Sequence, residues 1–204
     1  MNFGELKAEL QARGFDYIPE ARLGRWINRG YQRLCEENQW PFLRASTTGT
    51  ADTPIEVSDL RQIIEVIDTD NGRAISGEDE RAIRRIDPNL TRYGNPEAWF
   101  LTNNEITVWP AEGSSASILV QYLKVPATLV SSTDTPIVPD RYHNLIVDAA
   151  VILALRDDEE WEQAAALKSQ YDEEVNIMAA NLLHRNYQNP AYVQSTALWW
   201  ERDA

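Results

Sequence analysis

Few residues in this sequence are of types that could do chemistry. Its two histidines are His143 and His184. His143 stands in Asp140-Arg141-Tyr142-His143-Asn144, where Asp140, one turn earlier, could orient the imidazole as a general base. The alternative makes Asp140 a residue near a helix N-cap and His143 a partly exposed interface residue. The second reading is preferred, because no serine or cysteine stands in a nucleophile motif: neither G-x-S-x-G nor H-E-x-x-H occurs. His184 falls near a predicted helix C-terminus, where a positive charge is favoured, and reads as a cap or surface residue.

The other candidates also resolve into structural roles. Asp157-Asp158-Glu159-Glu160 lacks the alternating oxygen donors and central glycine of a calcium loop. A solvated turn followed by acidic residues in a helix's first turn explains it better. Glu105 and Glu112 have no nameable carboxylate partner for hydrolysis. The one cysteine, Cys35, can form no internal disulfide and reads as a small apolar residue on a buried helix face. The glycines make no phosphate-binding loop, so no cofactor and no metal is expected. Arg81, Arg84 and Arg85 directly follow Glu78, Asp79 and Glu80, which favours ion pairing along a helix over contact with DNA. A formal charge of −13 argues the same way, since gripping phosphates needs clustered bases. It suits a soluble surface, or one past which DNA slides without sticking.

The elements that would carry these residues are legible from periodicity. Phe3, Leu6 and Leu10 predict a first helix over about 2–13, stopped near Gly14. Pro19 opens a second helix to about Asn38, with Leu23, Trp26, Ile27, Tyr31 and Leu34 on one face. From Ala45 to Pro136 the apolar runs become short and β-branched. Ile63–Ile67 and Arg73–Ile75 flank Asp70-Asn71-Gly72 as a hairpin. Glu78–Ile86 reads as a short polar helix anchored by Ile83 and Ile86. Ala98–Leu101 and Glu105–Trp109 make a second hairpin, and Ser117–Leu123 buries Ile118, Val120 and Tyr122. About five antiparallel strands imply a small sandwich or barrel-like unit. An apolar helix from about Asp140 to Arg156 should be the best buried, and a last helix runs to about His184.

The expected fold class is therefore α+β: a bundle of about four helices, a small inserted antiparallel β unit, and an extended C-terminal tail. The parts are 1–44, 45–137, 138–185 and 186–204. No stretch approaches the roughly 20 apolar residues of a membrane span, and the start lacks the basic and apolar segments of a secretory signal, so synthesis in a cytosol and no membrane contact are expected. Seven tryptophans are present. Trp40, Trp99, Trp109 and Trp161 suit core positions. Trp199 and Trp200, with Tyr192 and Leu198, instead predict contact with a partner, because adjacent aromatics near a chain end have little of their own chain to cover them.

The order of several segments resembles the bacteriophage head-to-tail adaptor proteins, also called head-completion or connector proteins. These are Phe3-Gly4-Glu5-Leu6, Arg25-Trp26-Ile27-Asn28-Arg29-Gly30-Tyr31, Asn38-Gln39-Trp40-Pro41-Phe42-Leu43, Ile106-Thr107-Val108-Trp109-Pro110, Val120-Gln121-Tyr122 and Val138–Ile146. The resemblance spans about residues 2–180. It implies a non-enzymatic virion protein at the head–tail junction, assembled into a ring of twelve under the portal. Such a ring docks tail or nozzle proteins and lets genomic DNA pass its lumen without sequence-specific binding. It also implies that the tail residues Tyr192, Leu198, Trp199 and Trp200 reach the portal or a neighbouring copy. Two alternatives stand beside it: a tail-side neck or tail-completion protein that never touches the portal, and a virion-associated cell-wall hydrolase using His143 or an acidic pair.

Overall fold

Asn2 and Glu5 close a capping box at the start of the first helix: each side chain accepts the other residue's backbone N–H, at 2.9 Å. The computed structural model describes residues 1–111 and 115–183. In chain order its elements are α1 (Phe3–Leu10), α2 (Glu20–Glu36), β1 (Arg44–Thr50), β2 (Ile55–Glu56), β3 (Leu60–Asp68), β4 (Arg73–Gly77), α3 (Glu80–Ile86), β5 (Ala98–Thr102), β6 (Glu105–Trp109), β7 (Ser117–Lys124), α4 (His143–Asp157) and α5 (Trp161–Leu183). They divide into two compact units: Leu43–Pro126, and Met1–Phe42 with the described residues 127–183.

In the helical unit, α4 is the central element and packs against α1, α2 and α5. Nine of its residues are buried, among them Leu145, Ile146, Ala149, Ala150 and Ile152. Helix α1 buries Phe3, Leu6 and Leu10, and a wide turn at Gly14, with φ +103°, carries the chain into α2. Pro19, which has no N–H to leave unpaired, immediately precedes α2. The α2 backbone approaches α4 so closely at Gly30 that a Cβ there would sit 3.0 Å from Ala149 Cβ and 3.0 Å from the Ala150 nitrogen. After α2, Trp40 stacks on Phe42 at 5.8 Å and donates its indole N–H to the Leu34 carbonyl.

The segment 127–137 is tied to the helices by α2. Asn28 donates to the Leu129 carbonyl at 2.9 Å and accepts the Leu129 N–H at 2.8 Å. The Tyr31 hydroxyl accepts the Ile137 N–H at 3.1 Å. The backbone of this segment also receives α1, through the N–H groups of Phe3 and Gly4 on the carbonyls of Asp134 and Ser132.

The β unit is one seven-stranded sheet in the order β1-β7-β3-β4-β5-β6-β2. Every strand sends a side chain into one apolar cluster: Ala45, Ile55, Val66, Ile75, Trp99, Val108 and Val120 represent the seven in chain order. Ile55 of β2 lies against Gly49 of β1, so the two ends of the strand order meet and the barrel nearly closes. Alternation along β5 turns Ala98 and Phe100 to the other face, where they pack with Trp109 and with Ile83 of α3.

These findings overturn the expected fold class. The β part is not a small antiparallel insertion in a four-helix bundle; it is a nearly closed, mixed seven-stranded barrel, and the described residues hold five helices. Two strands escaped the sequence reading. Arg44-Ala45-Ser46-Thr47-Thr48-Gly49-Thr50 has no apolar alternation, because β1 alternates only between exposed and half-buried positions. Strand β2 has two residues and leaves no periodicity to detect. The mixed character comes from β4 and β5, paired in parallel through Ser76–Ala98 and Gly77–Trp99. Parallel neighbours need a long crossover, and the connection containing α3 supplies it. Ile86, expected to anchor α3, is 69% exposed because α3 ends there. Ile83 is the one residue of α3 that is buried. The expected extended tail lies outside the described residues.

Candidate interaction surfaces

His143 is fully buried at the start of α4. Its Nε2–H donates to the Val138 carbonyl at 2.7 Å, and Nδ1 lies 2.6 Å from the Met1 nitrogen. Both ring nitrogens are engaged, so neither is free to act as a general base. The expectation of a partly exposed interface residue is corrected as well. The 3₁₀ turn Asp140–Tyr142 brings His143 into the core and leaves the Asp140 side chain 88% exposed, with its Oδ1 3.5 Å from His143 Nε2. Cys35 is buried on α2. His184 and Glu112 lie outside the described residues, and Glu105 is exposed at the start of β6. Among the described residues, no group of three His, Cys, Asp or Glu side chains is placed to hold a metal ion.

The acidic run after α4 serves as a set of hydrogen-bond acceptors. Asp157 accepts from the Trp26 indole at 2.9 Å and from Arg22 at 3.4 Å, while Asp158 accepts from the Tyr17 hydroxyl at 2.9 Å. That bond raises the Tyr17 hydroxyl pKa above its ordinary value. Glu159 then turns the chain with φ +62° into α5. Trp161, expected in a core, is 62% exposed: it opens α5 ahead of the buried stripe, which begins at Ala164. With Tyr17 at 66% exposure, it leaves two large aromatic rings in solvent flanking this acidic turn.

Helix α2 carries a row of arginines. Arg22, Arg25, Arg29 and Arg33 recur at helical spacing along one stripe. An open groove of about 460 Å³ runs beside it, lined by Arg25, Arg29, Trp26, Asn28 and Asp157. A second groove of about 420 Å³ adjoins it, lined by Arg29, Gln32, Glu36, Leu153 and Arg156. Sequence reasoning missed this surface. Its signal was the spacing of arginines at 22, 25, 29 and 33, read only as part of a longer pattern. Glu37 accepts from the Tyr171 hydroxyl at 3.3 Å, burial raises the Glu37 carboxyl, and burial with Glu37 raises the Tyr171 hydroxyl further.

In the β unit, α3 and the strands beside it line a more open groove of about 670 Å³, with Ile63, Glu78, Arg81, Trp99 and Leu101 on its walls. Arg84 pairs with Glu80 at 2.6 Å, and Thr102 also donates to Glu80, so these two bonds hold the Glu80 carboxyl below the usual range. Asp87, just past α3, accepts the Trp109 indole N–H at 3.0 Å and the Arg92 N–H at 2.8 Å. These bonds, the indole's first, hold its carboxyl low. The expected partner-contact residues Tyr192, Leu198, Trp199 and Trp200 lie outside the described residues.

The helical unit thus holds a buried, doubly bonded histidine, open grooves lined by arginines, and two exposed aromatic rings. The family model of the SU10 adaptor protein matches residues 1–194, nearly the whole chain. The chain belongs to that family, a family of phage head-to-tail adaptors, and is a virion-associated structural protein that associates with other head or tail proteins. Among curated proteins, none matches it. No helix among the described residues is long and apolar enough to cross a membrane.

Proposed function

We propose that copies of this chain form a ring, of twelve subunits, that attaches to the portal at the head–tail junction and extends the DNA channel toward the tail. The observation that carries this reading is the family match over residues 1–194. In this reading the role is structural, without a catalytic step. Each copy contacts two neighbours through different surfaces, as a closed ring requires, and tail or nozzle proteins dock on the ring. The charge of −13, multiplied around the ring, keeps the DNA backbone from sticking during passage. The residues 186–204, with Tyr192, Leu198, Trp199 and Trp200, contact the portal or the next copy. Their aromatic character supports this role.

The test is association of the purified chain with its portal ring, followed by sedimentation, for the full chain and for a chain ending at Arg185. The reading expects the full chain to co-sediment with the portal and the truncated chain to lose most of that association. Equal association by both would contradict the role given to the tail. Association with tail proteins and none with the portal would contradict attachment to the portal.

A further inference from the structure

Arg22 and Arg33 on the α2 stripe have carboxylate partners within the chain, Asp157 at 3.4 Å and Glu37 at 3.8 Å. Arg25 and Arg29 are exposed, Arg156 of α4 is half-buried, and none of the three forms an ion pair with another described residue. This is unexpected in a chain with 32 acidic and 19 basic residues. The two α2 grooves share Arg29 and Gln32, so Arg25, Arg29 and Arg156 line one continuous surface, which also holds two carboxylates, Glu36 and the Asp157 that accepts from Arg22 and Trp26. Helix α5 carries exposed carboxylates instead, beside the exposed apolar side chains Trp161 and Ile177. Only Ala164, Tyr171, Val175 and Met178 are buried along its 23 residues. Glu162, Glu173 and Glu174 are exposed, and none is ion-paired with another described residue; the helix's one lysine, Lys168, is held by Asp172.

We propose that the arginine stripe of α2, with Arg156, receives the acidic outer face of α5 from a second copy of this chain. The inference rests on the reading that copies assemble side by side, and it names the surfaces they use. Charge complementarity selects the occupant. Two copies at −13 each repel as wholes, so a stable contact needs local opposite charge to overcome that repulsion. A ring also needs two different, mutually complementary patches on every subunit, and the helical unit carries a cationic one on α2 and an anionic one on α5. Guanidinium groups suit this contact because each can hold a carboxylate through two parallel hydrogen bonds.

The test uses two full-length variants: Arg25→Glu with Arg29→Glu, and Glu173→Lys with Glu174→Lys. All four positions are exposed, and circular dichroism checks that folding is retained. Ring formation is followed on the portal by sedimentation and electron microscopy. Each variant alone is expected to assemble about 100-fold more weakly than the native chain, because like charges then face each other. Mixing the two in equal amounts is expected to restore rings, since every contact in an alternating ring pairs opposite charges again. A single chain carrying all four substitutions should also assemble. Native ring formation by either variant alone, or failure of both the mixture and the fourfold variant, would overturn the inference and leave the ring itself standing. If the native chain forms no ring on the portal, the proposed function falls and this inference with it.

Discussion

At the scale of single residues, half-buried polar groups with matched partners carry the specific contacts. Asn28 satisfies both backbone groups of Leu129, so its loss strands a donor and an acceptor. Asn28→Ala should cost about 2 kcal/mol, read as a lower urea midpoint. Asn28→Asp should also destabilise, because a carboxylate can accept the N–H but not donate to the carbonyl. In the β unit, Asp87 ties the residues after α3 to Trp109. The folded state holds its carboxyl below the ordinary range. Its contribution is therefore present above that range and is lost as pH falls through the lowered value. The thermal midpoint of the native chain should drop on acidification more than that of Asp87→Asn, which has no such charge to lose; parallel pH profiles would contradict this. None of these pairings was legible in the sequence, since each joins residues far apart in the chain or fixed by a local turn. Cys35 was legible as buried, but His143 was not: nothing in Asp140–Asn144 tells which residues of a 3₁₀ turn face inward.

At the scale of elements, apolar periodicity was a good guide where one face packs and the other meets water. Helices α1 and α2 follow it, with Leu6, Leu10, Leu23, Ile27 and Leu34 all fully buried. Strand β7 follows it through Ile118, Val120 and Tyr122. The signal fails where a strand has no strongly buried side, as in β1, and where helix ends decide exposure, as at Ile86 and Trp161. Helix crossings impose demands that periodicity does not show. Gly30 fits because α4 leaves no room for a side chain. Gly30→Val should cost about 2 to 3 kcal/mol through overpacking at the α2–α4 contact, measured by denaturant unfolding, although valine is the better helix former of the two. A neutral effect would mean that α2 and α4 can separate freely at that point.

At the scale of the whole molecule, composition pointed to what the chain does more than to how it folds. An excess of aromatic residues, Trp199 and Trp200 above all, and the order of several segments directed attention to assembly, which agrees with membership of a phage adaptor family. The same evidence underestimated the β unit, because closure of a barrel depends on which strands pair, and sequence spacing is nearly silent about the parallel β4–β5 contact. If opposite charges join the copies, ring assembly should weaken as salt is raised, since exposed ion pairs are screened; salt-independent assembly would point instead to apolar contacts such as Trp161 and Tyr17. The most direct measurement is electron microscopy of the purified chain mixed with its portal ring. A symmetric ring of twelve copies stacked on the portal is the predicted result. A portal left bare, with the chain free in solution, would contradict the central claim.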